Sequence, residues 1–213
     1  MANRTGGQIL VDQLRIHGAD HVFCVPGESY LAVLDALYDA PQIKTVTCRH
    51  EGNAAMMAEA HGKLTSRPGI CMVTRGPGAT NASAGLHVAM QDATPMILFI
   101  GQVARDQIER EAFQEIDYRR MFGQVTKWTA QVDDTSRLPE LIARAFRVAT
   151  SGRPGPVAIA LPEDMLTEMA DVPDALAYTP LASWPGADQL DAMADMLAEA
   201  QRPMMLLGGA PWD

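Results

Sequence analysis

Three short stretches carry the residue types that can move protons or hold a ligand. In residues 45–58 a β-branched run breaks into a small-residue, Ala/Met-rich segment, and Glu51 stands at the joint. A carboxylate in the first turn of a helix is favoured by the free backbone N–H groups and the dipole there. The segment after Glu51 is almost wholly apolar or small, so the carboxylate is expected at the edge of a packed, poorly hydrated region, where it can handle protons. The plainer reading is a first-turn charge and nothing more. The other two stretches are Pro26-Gly27-Glu28 and Gly76-Pro77-Gly78-Ala79-Thr80-Asn81, whose glycines let a backbone approach a ligand closely. The second lacks the third glycine of a dinucleotide fingerprint and has no phosphate-loop lysine, so a tight turn is expected in place of a phosphate cradle.

These stretches need elements to position them. Helical spacing covers residues 8–17 and stops at Gly18. A buried-type strand at 21–25 ends at Pro26-Gly27, and Ser29 is a candidate cap for a helix carrying Leu31, Leu34, Leu37 and Tyr38. A strand at 45–48 leads into the Glu51 helix, which runs to about residue 65. Strands at 70–74 and 96–100 flank a helix of small residues at 79–91. Residues 102–123 are polar and charged, too long for an idle loop, and are expected to be partly helical and either exposed or functional. A strand at 126–132, a helix at 138–150 and a strand at 157–161 complete the pattern.

Strands alternating with helices predict an α/β fold: a doubly wound, mostly parallel sheet of about six strands with helices on both faces. Ligands in such sheets sit beyond the carboxyl ends of the strands. Glu51, the Pro26-Gly27 turn and residues 74–78 all come directly after strands. One domain is expected over residues 1–165, a linker over 166–185, and an incomplete further domain over 186–213, begun by a helix at 187–200 and a strand at 203–209.

The composition, 47% hydrophobic and 20% charged with a net charge of −9, is that of an ordinary globular chain. With no basic stripe, nucleic acid and anionic membrane surfaces are not expected partners. The longest apolar run, residues 96–100, is far too short to span a bilayer. The N-terminus lacks the apolar core of a signal peptide. Cys24, Cys48 and Cys71 stand singly, without CxxC or a His/Cys cluster, so no metal site is expected and buried free thiols in a reducing cytoplasm are.

Taken together, Val25-Pro26-Gly27, Arg49-His50-Glu51, residues 76–81, Gly101-Gln102-Val103, Ala112-Phe113-Gln114-Glu115 and residues 152–157 resemble the N-terminal, pyrimidine-binding domain of thiamine-diphosphate enzymes, in the acetolactate-synthase-like branch. The resemblance spans nearly all of residues 1–164, and the tail is similar to the start of that family's central domain. It implies that Glu51 is catalytic, hydrogen-bonding N1′ of the cofactor's pyrimidine and shuttling a proton there while a 2-oxo acid is decarboxylated. It places Pro26, Gly27, Thr74, Asn81 and Gln114 on the cofactor, and Phe113 and Lys127 along a substrate channel. His50 and His61 read as structural. The resemblance also implies Mg²⁺, bound mainly by a domain absent here, and leaves FAD open as a further cofactor. The assembly it implies is a homodimer or tetramer whose active site forms between subunits, so this chain alone is expected to be inactive. Two departures stand out: Gly52-Asn53 replaces a Gln-Gly type pair, and Glu28-Ser29 replaces a pair of small residues, adding negative charge near the cofactor. The alternatives are a stand-alone subunit or dimerisation module that pairs with a separate diphosphate-binding chain, and a nucleotide-binding Rossmann domain.

Overall fold

The computed structural model describes residues 3–181, 183–206 and 208. Six parallel strands form the central sheet in the order β3-β2-β4-β5-β7-β6: β2 His21–Cys24, β3 Lys44–Thr47, β4 Gly69–Val73, β5 Met96–Gln102, β6 Trp128–Gln131 and β7 Pro156–Pro162. Helices α1 Gly6–Ile16, α2 Leu31–Tyr38 and α6 Leu138–Thr150 cover one face; α3 Glu51–Thr65, α4 Pro77–Gln91 and α5 Tyr118–Phe122 cover the other. This is the doubly wound α/β sheet expected from the alternation of strands and helices.

The inner strands β4, β5 and β7 are buried throughout because both of their sides are covered, while the edge strands β3 and β6 keep polar, partly exposed residues. Along β4, Ile70 and Met72 join the cluster under α1 and α6, while Cys71 and Val73 join the one under α3 and α4. Ile97 and Phe99 alternate with Leu98 and Ile100 in β5 in the same way. The second face is built small. Ala54, Ala55 and Ala58 of α3 meet Ala82, Gly85 and Ala89 of α4, and a Cβ at Gly85 would lie 2.5 Å from that of Ala55. Burial pushes the Cys24 thiol up to about 11 and that of Cys71 well above its usual range, so neither is a ready nucleophile. Cys48 is half-buried.

Several expectations shift in detail. Helix α1 starts at Gly6 because Thr5 and Gln8 form a reciprocal capping box. Ser29 does not cap α2. It lies in a 3-10 turn, Glu28–Tyr30, with its hydroxyl turned inward, and Tyr30 precedes the helix. Residues 102–123 hold only a 3-10 turn, Arg105–Gln107, and the short α5.

The first half of the expected linker is strapped to the domain. After α7, Glu163–Thr167, the strand β8, Met169–Ala170, pairs antiparallel with β1, Arg4–Thr5. Arg4 reaches Asp12 at 2.6 Å, Asp174 at 2.9 Å and the Val172 carbonyl at 3.0 Å. Buried Gln13 donates to Asp174, and the Tyr178 N–H donates to His17 Nδ1 at 3.2 Å. Farther on, α8, Ala187–Glu199, buries none of its residues. Residues 203–206 form no strand; Leu207 and Gly209 of the expected strand lie outside the described residues. Among the described residues no helix is long and apolar enough to cross a membrane.

His17 makes the strap acid-sensitive. Its ring stacks on Phe146 at 4.7 Å, and burial, with the Arg147 charge adding, pushes it down to about 4. The unfolded chain takes up a proton near pH 6.5 and the folded chain only near 4, so stability is full above 6.5 and falls as pH drops through that window. Asp20, held down to about 2, loses its contribution only below 3.8 and leaves the window between pH 7 and 5 to histidine. Thermal melts at pH 7 and 5 are expected to differ by several degrees, and His17→Gln to remove about half of that difference or more. An identical drop in the variant would place the acid sensitivity elsewhere.

Candidate functional site

The sheet reverses direction between β2 and β4. The chain leaves β2 outward to β3, then returns across β2 to lay down β4 on its other side. The carboxyl ends of β2 and β4 therefore border the crevice where doubly wound sheets take ligands. Pro26 and Gly27 follow β2, Glu51 opens α3 after β3, and Thr74 to Gly78 follow β4.

Thr74 sits at the centre. Its hydroxyl is 2.7 Å from that of buried Ser29. A Cβ at Gly27 would lie 2.5 Å from Thr74 Cβ, and one at Gly78 would lie 2.9 Å from Thr74 Cγ2 and 3.6 Å from Glu51 Oε1. Bare backbone on both sides is thus a steric requirement, and the Gly78 side opens towards the Glu51 carboxylate. Pro26 is exposed next to Gly27.

Glu51 is half-buried as the first residue of α3. Helix entry is fixed by His50, whose Nδ1 accepts from the Gly52 N–H at 3.1 Å, which gives His50 the structural role read from sequence. Asn81, just past the first turn of α4, donates its amide to Glu51 Oε2 at 2.9 Å. One carboxylate oxygen is thereby held while Oε1 faces the Gly78 turn.

Gln114 and Phe113 arrive from the loop after β5. Gly76 has φ +60° and ψ −114°, a conformation suited to glycine, and a Cβ there would be 2.6 Å from Gln114 Cβ. Gln114 itself has φ +66°. Phe113 is 73% exposed, so its ring is not core packing of this chain. Lys127 is not brought to this rim. It precedes β6 and so lies at the amino ends of the strands, where its ammonium donates to the carbonyls of Val148 and Ser151 that end α6. Burial and the Arg153 charge lower its pKa. A lysine's type says nothing about which rim it occupies; the strand direction decides that.

Sequence reading missed Arg75. Its side chain is only 10% exposed, yet it bonds Glu28 at 3.2 Å, Glu163 at 3.1 Å and the Phe113 carbonyl at 3.2 Å. Glu28 is thus paired, which offsets the bare negative charge expected from it. The signal was a lone cation between an apolar strand and a Gly-Pro-Gly turn. Tyr118 was missed too; its hydroxyl accepts from the Gly76 N–H at 2.8 Å.

At the opposite rim, Asp20, His21 and His61 put potential ligand atoms within 4.8 Å of one another. Both imidazoles already hydrogen-bond Asp20 Oδ1, at 3.0 and 3.1 Å, and Arg67 holds Oδ2 at 2.7 Å. The carboxylate is saturated by protein partners, and a guanidinium beside it disfavours a metal cation.

Gly27→Ala tests the crowding at Thr74. The added methyl has no space, so a loss of about 1–3 kcal/mol in urea unfolding is expected. An unchanged midpoint would mean that the two turns do not meet as closely as described.

Residues 4–121 match the family described as thiamine pyrophosphate enzyme, N-terminal TPP binding domain. The chain is 37% identical to the mitochondrial acetolactate synthase of Schizosaccharomyces pombe over 96% of its own length and 32% of that protein. It is 39% identical to the acetolactate synthase isozyme 2 large subunit of Escherichia coli K12, over 96% of itself and 37% of the relative. For the acetolactate synthase of Bacillus subtilis the identity is 35%, over 98% and 36%. The chain spans about a third of the length of the curated relatives it matches. With more than half of its residues inside the family match, and Glu51, Asn81 and the glycine turns meeting at the switch of the sheet, the chain belongs to the thiamine pyrophosphate enzymes as their N-terminal TPP-binding domain.

Proposed function

We propose that this domain is the pyrimidine-binding part of a thiamine-diphosphate-dependent 2-oxo-acid decarboxylase or carboligase of the acetolactate-synthase kind. The observation that carries the reading is the Glu51–Asn81 pair: a carboxylate at a helix N-terminus, on the ligand-facing rim, with one oxygen held and the other towards the bare Gly78 backbone. That geometry suits a flat heteroaromatic ring carrying a basic nitrogen. Thiamine diphosphate, when bound, supplies the electron sink that allows a 2-oxo acid to lose CO2.

The chain's own residues then have distinct tasks. Glu51 Oε1 holds and releases the proton at the ring nitrogen, which works best where carboxyl and ring have similar proton affinity in a poorly hydrated site. Asn81 fixes Oε2 so that Oε1 keeps its aim. Pro26, Gly27 and Thr74 form the wall against which the ring lies. Gln114 offers a polar contact on the substrate side, and the exposed Phe113 ring lines the approach. Lys127 has no task here. The diphosphate and its Mg²⁺ fall to a part of the enzyme that carries a Gly-Asp-Gly…Asn-type motif, which this chain does not contain, and any FAD would fall to the central domain. The half-open rim is covered by the diphosphate-binding domain of another subunit, in a homodimer or tetramer placed in the cytoplasm.

Glu51→Gln in the complete enzyme is the direct test. Gln keeps the shape and the Asn81 contact but cannot take the proton, so turnover is expected to fall roughly 100- to 10,000-fold. Full turnover in the variant would refute the proton-transfer role.

A further inference from the structure

We propose that Arg75 is a positioning residue for substrate: its guanidinium latches residues 109–114 onto the turn after β4 and so presents Phe113 and Gln114 over the rim. The inference rests on the function proposed above, because it takes that rim to be where the 2-oxo acid binds.

Arg75 ties three separate pieces of chain to its own turn. Its backbone N–H donates to Ser29 Oγ at 3.2 Å in the turn after β2. Two of its terminal nitrogens reach Glu28, on that same turn, and Glu163, which opens α7. The third, Nε, grips the carbonyl of Phe113 at 3.2 Å. A buried cation requires such partners, and only a planar fork of several donors reaches two carboxylates and a carbonyl at once. A lysine offers a single point charge.

The gripped loop does not hold its shape unaided. Three of its non-glycine residues have positive φ: Glu109 at +63°, Glu111 at +53° and Gln114 at +66°. Such conformations cost energy and persist only where surrounding contacts impose them. Here two backbone turns, Arg110 N–H to the Gln107 carbonyl and Glu115 N–H to the Ala112 carbonyl, are joined by side-chain contacts. The Glu115 carboxylate accepts from the N–H groups of Glu109 and Ala112, Gly76 packs under Gln114, and Arg75 holds Phe113 by its backbone. Phe113 is anchored through its carbonyl while 73% of the residue stays exposed. A residue held by its main chain with its ring left free is being presented, not buried.

The complete enzyme carrying Arg75→Gln or Arg75→Lys gives two independent readouts. Backbone hydrogen exchange over residues 109–116 is expected to rise roughly tenfold or more in both variants, with β4 and β5 as protected as before. KM for the 2-oxo acid is expected to rise about tenfold, with thiamine diphosphate affinity retained and kcat changed less. Arg75→Lys keeps one ion pair, so it preserves folding even where Arg75→Gln does not, yet it cannot also hold the Phe113 carbonyl. Wild-type exchange over 109–116 in Arg75→Lys would overturn the latch whatever the activity. A fall in kcat with unchanged KM would overturn the substrate-side assignment. The exchange result does not depend on Glu51 chemistry, so failure of the latch and failure of the proposed function are separable.

Discussion

A threonine wedged between two glycines governs the arrangement of the whole rim. At the end of β4 the chain must turn into α4 while the turn after β2 passes alongside, and Thr74 fills the space that Gly27 and Gly78 leave empty. Interiors packed to this density have no slack for an extra methyl. The consequence extends past the turn. Pinning the start of α4 against Thr74 places its next turn beside the start of α3, and Asn81 then reaches Glu51 at 2.9 Å. One further turn along, Gly85 meets Ala55, so the two helices stay as near as small side chains allow. The position of the carboxylate is thus a packing result before it is an electrostatic one.

The two charges nearest that turn are treated in opposite ways. Arg75 is almost fully buried and has partners on three of its nitrogens, two of them carboxylates. Such a group is immobilised, since leaving any of those contacts strands a charge out of water. Glu51 is half-buried and has a partner on Oε2 from Asn81. A group meant to gain and lose a proton must not be saturated, because every bond to the charged form makes protonation harder. At the other rim Asp20 shows the saturated case: three cationic or imidazole partners hold its pKa down to about 2. A carboxylate in that state is a fastener.

How far the fold could be read from sequence followed how local its causes were. The inner strands were legible as apolar runs, and α6 came out at residues 138–150 because Leu141, Ile142, Ala145 and Phe146 repeat at helical spacing. Helix α1 was read late because Gly6 and Gly7 are poor helix formers. They are glycine because a Cβ would lie 2.5 Å from the Met165 carbonyl and 2.3 Å from that of Ala32. The strap over residues 169–178 carries no period at all. Its order comes from Arg4, Gln13 and His17, some 160 residues away in sequence. Ser29 looked like a cap because its type favours one, yet its hydroxyl went to Thr74. Glu51 and Gly27 could be placed on the ligand-facing rim because they come directly after strands, whereas Asn81, inside α4, was named only through the family resemblance. Lys127 lies at the opposite rim, and Arg75 was missed because its partners come from three distant segments, the turn after β2, α7 and the loop after β5.

The half-open state of Glu51 in a single chain has an electrostatic consequence. At about 3 Å, a carboxylate and a protonated ring nitrogen attract by roughly 1.4 kcal/mol in bulk water and about four times that at the effective dielectric of a covered protein surface. The proton transfer proposed above would therefore need more cover than one copy of the chain supplies, since Asn81 is exposed and Phe113 projects into solvent. The same side of the domain carries Met56 and Met57, 39% and 41% exposed within two turns of Glu51. Methionine adapts to irregular apolar contacts, which suits a surface that must be sealed by another chain. On the function proposed above, the remaining cover of the carboxylate would come from assembly. On that proposal the domain would supply the aim of the oxygen through Asn81, and a neighbouring chain the low dielectric.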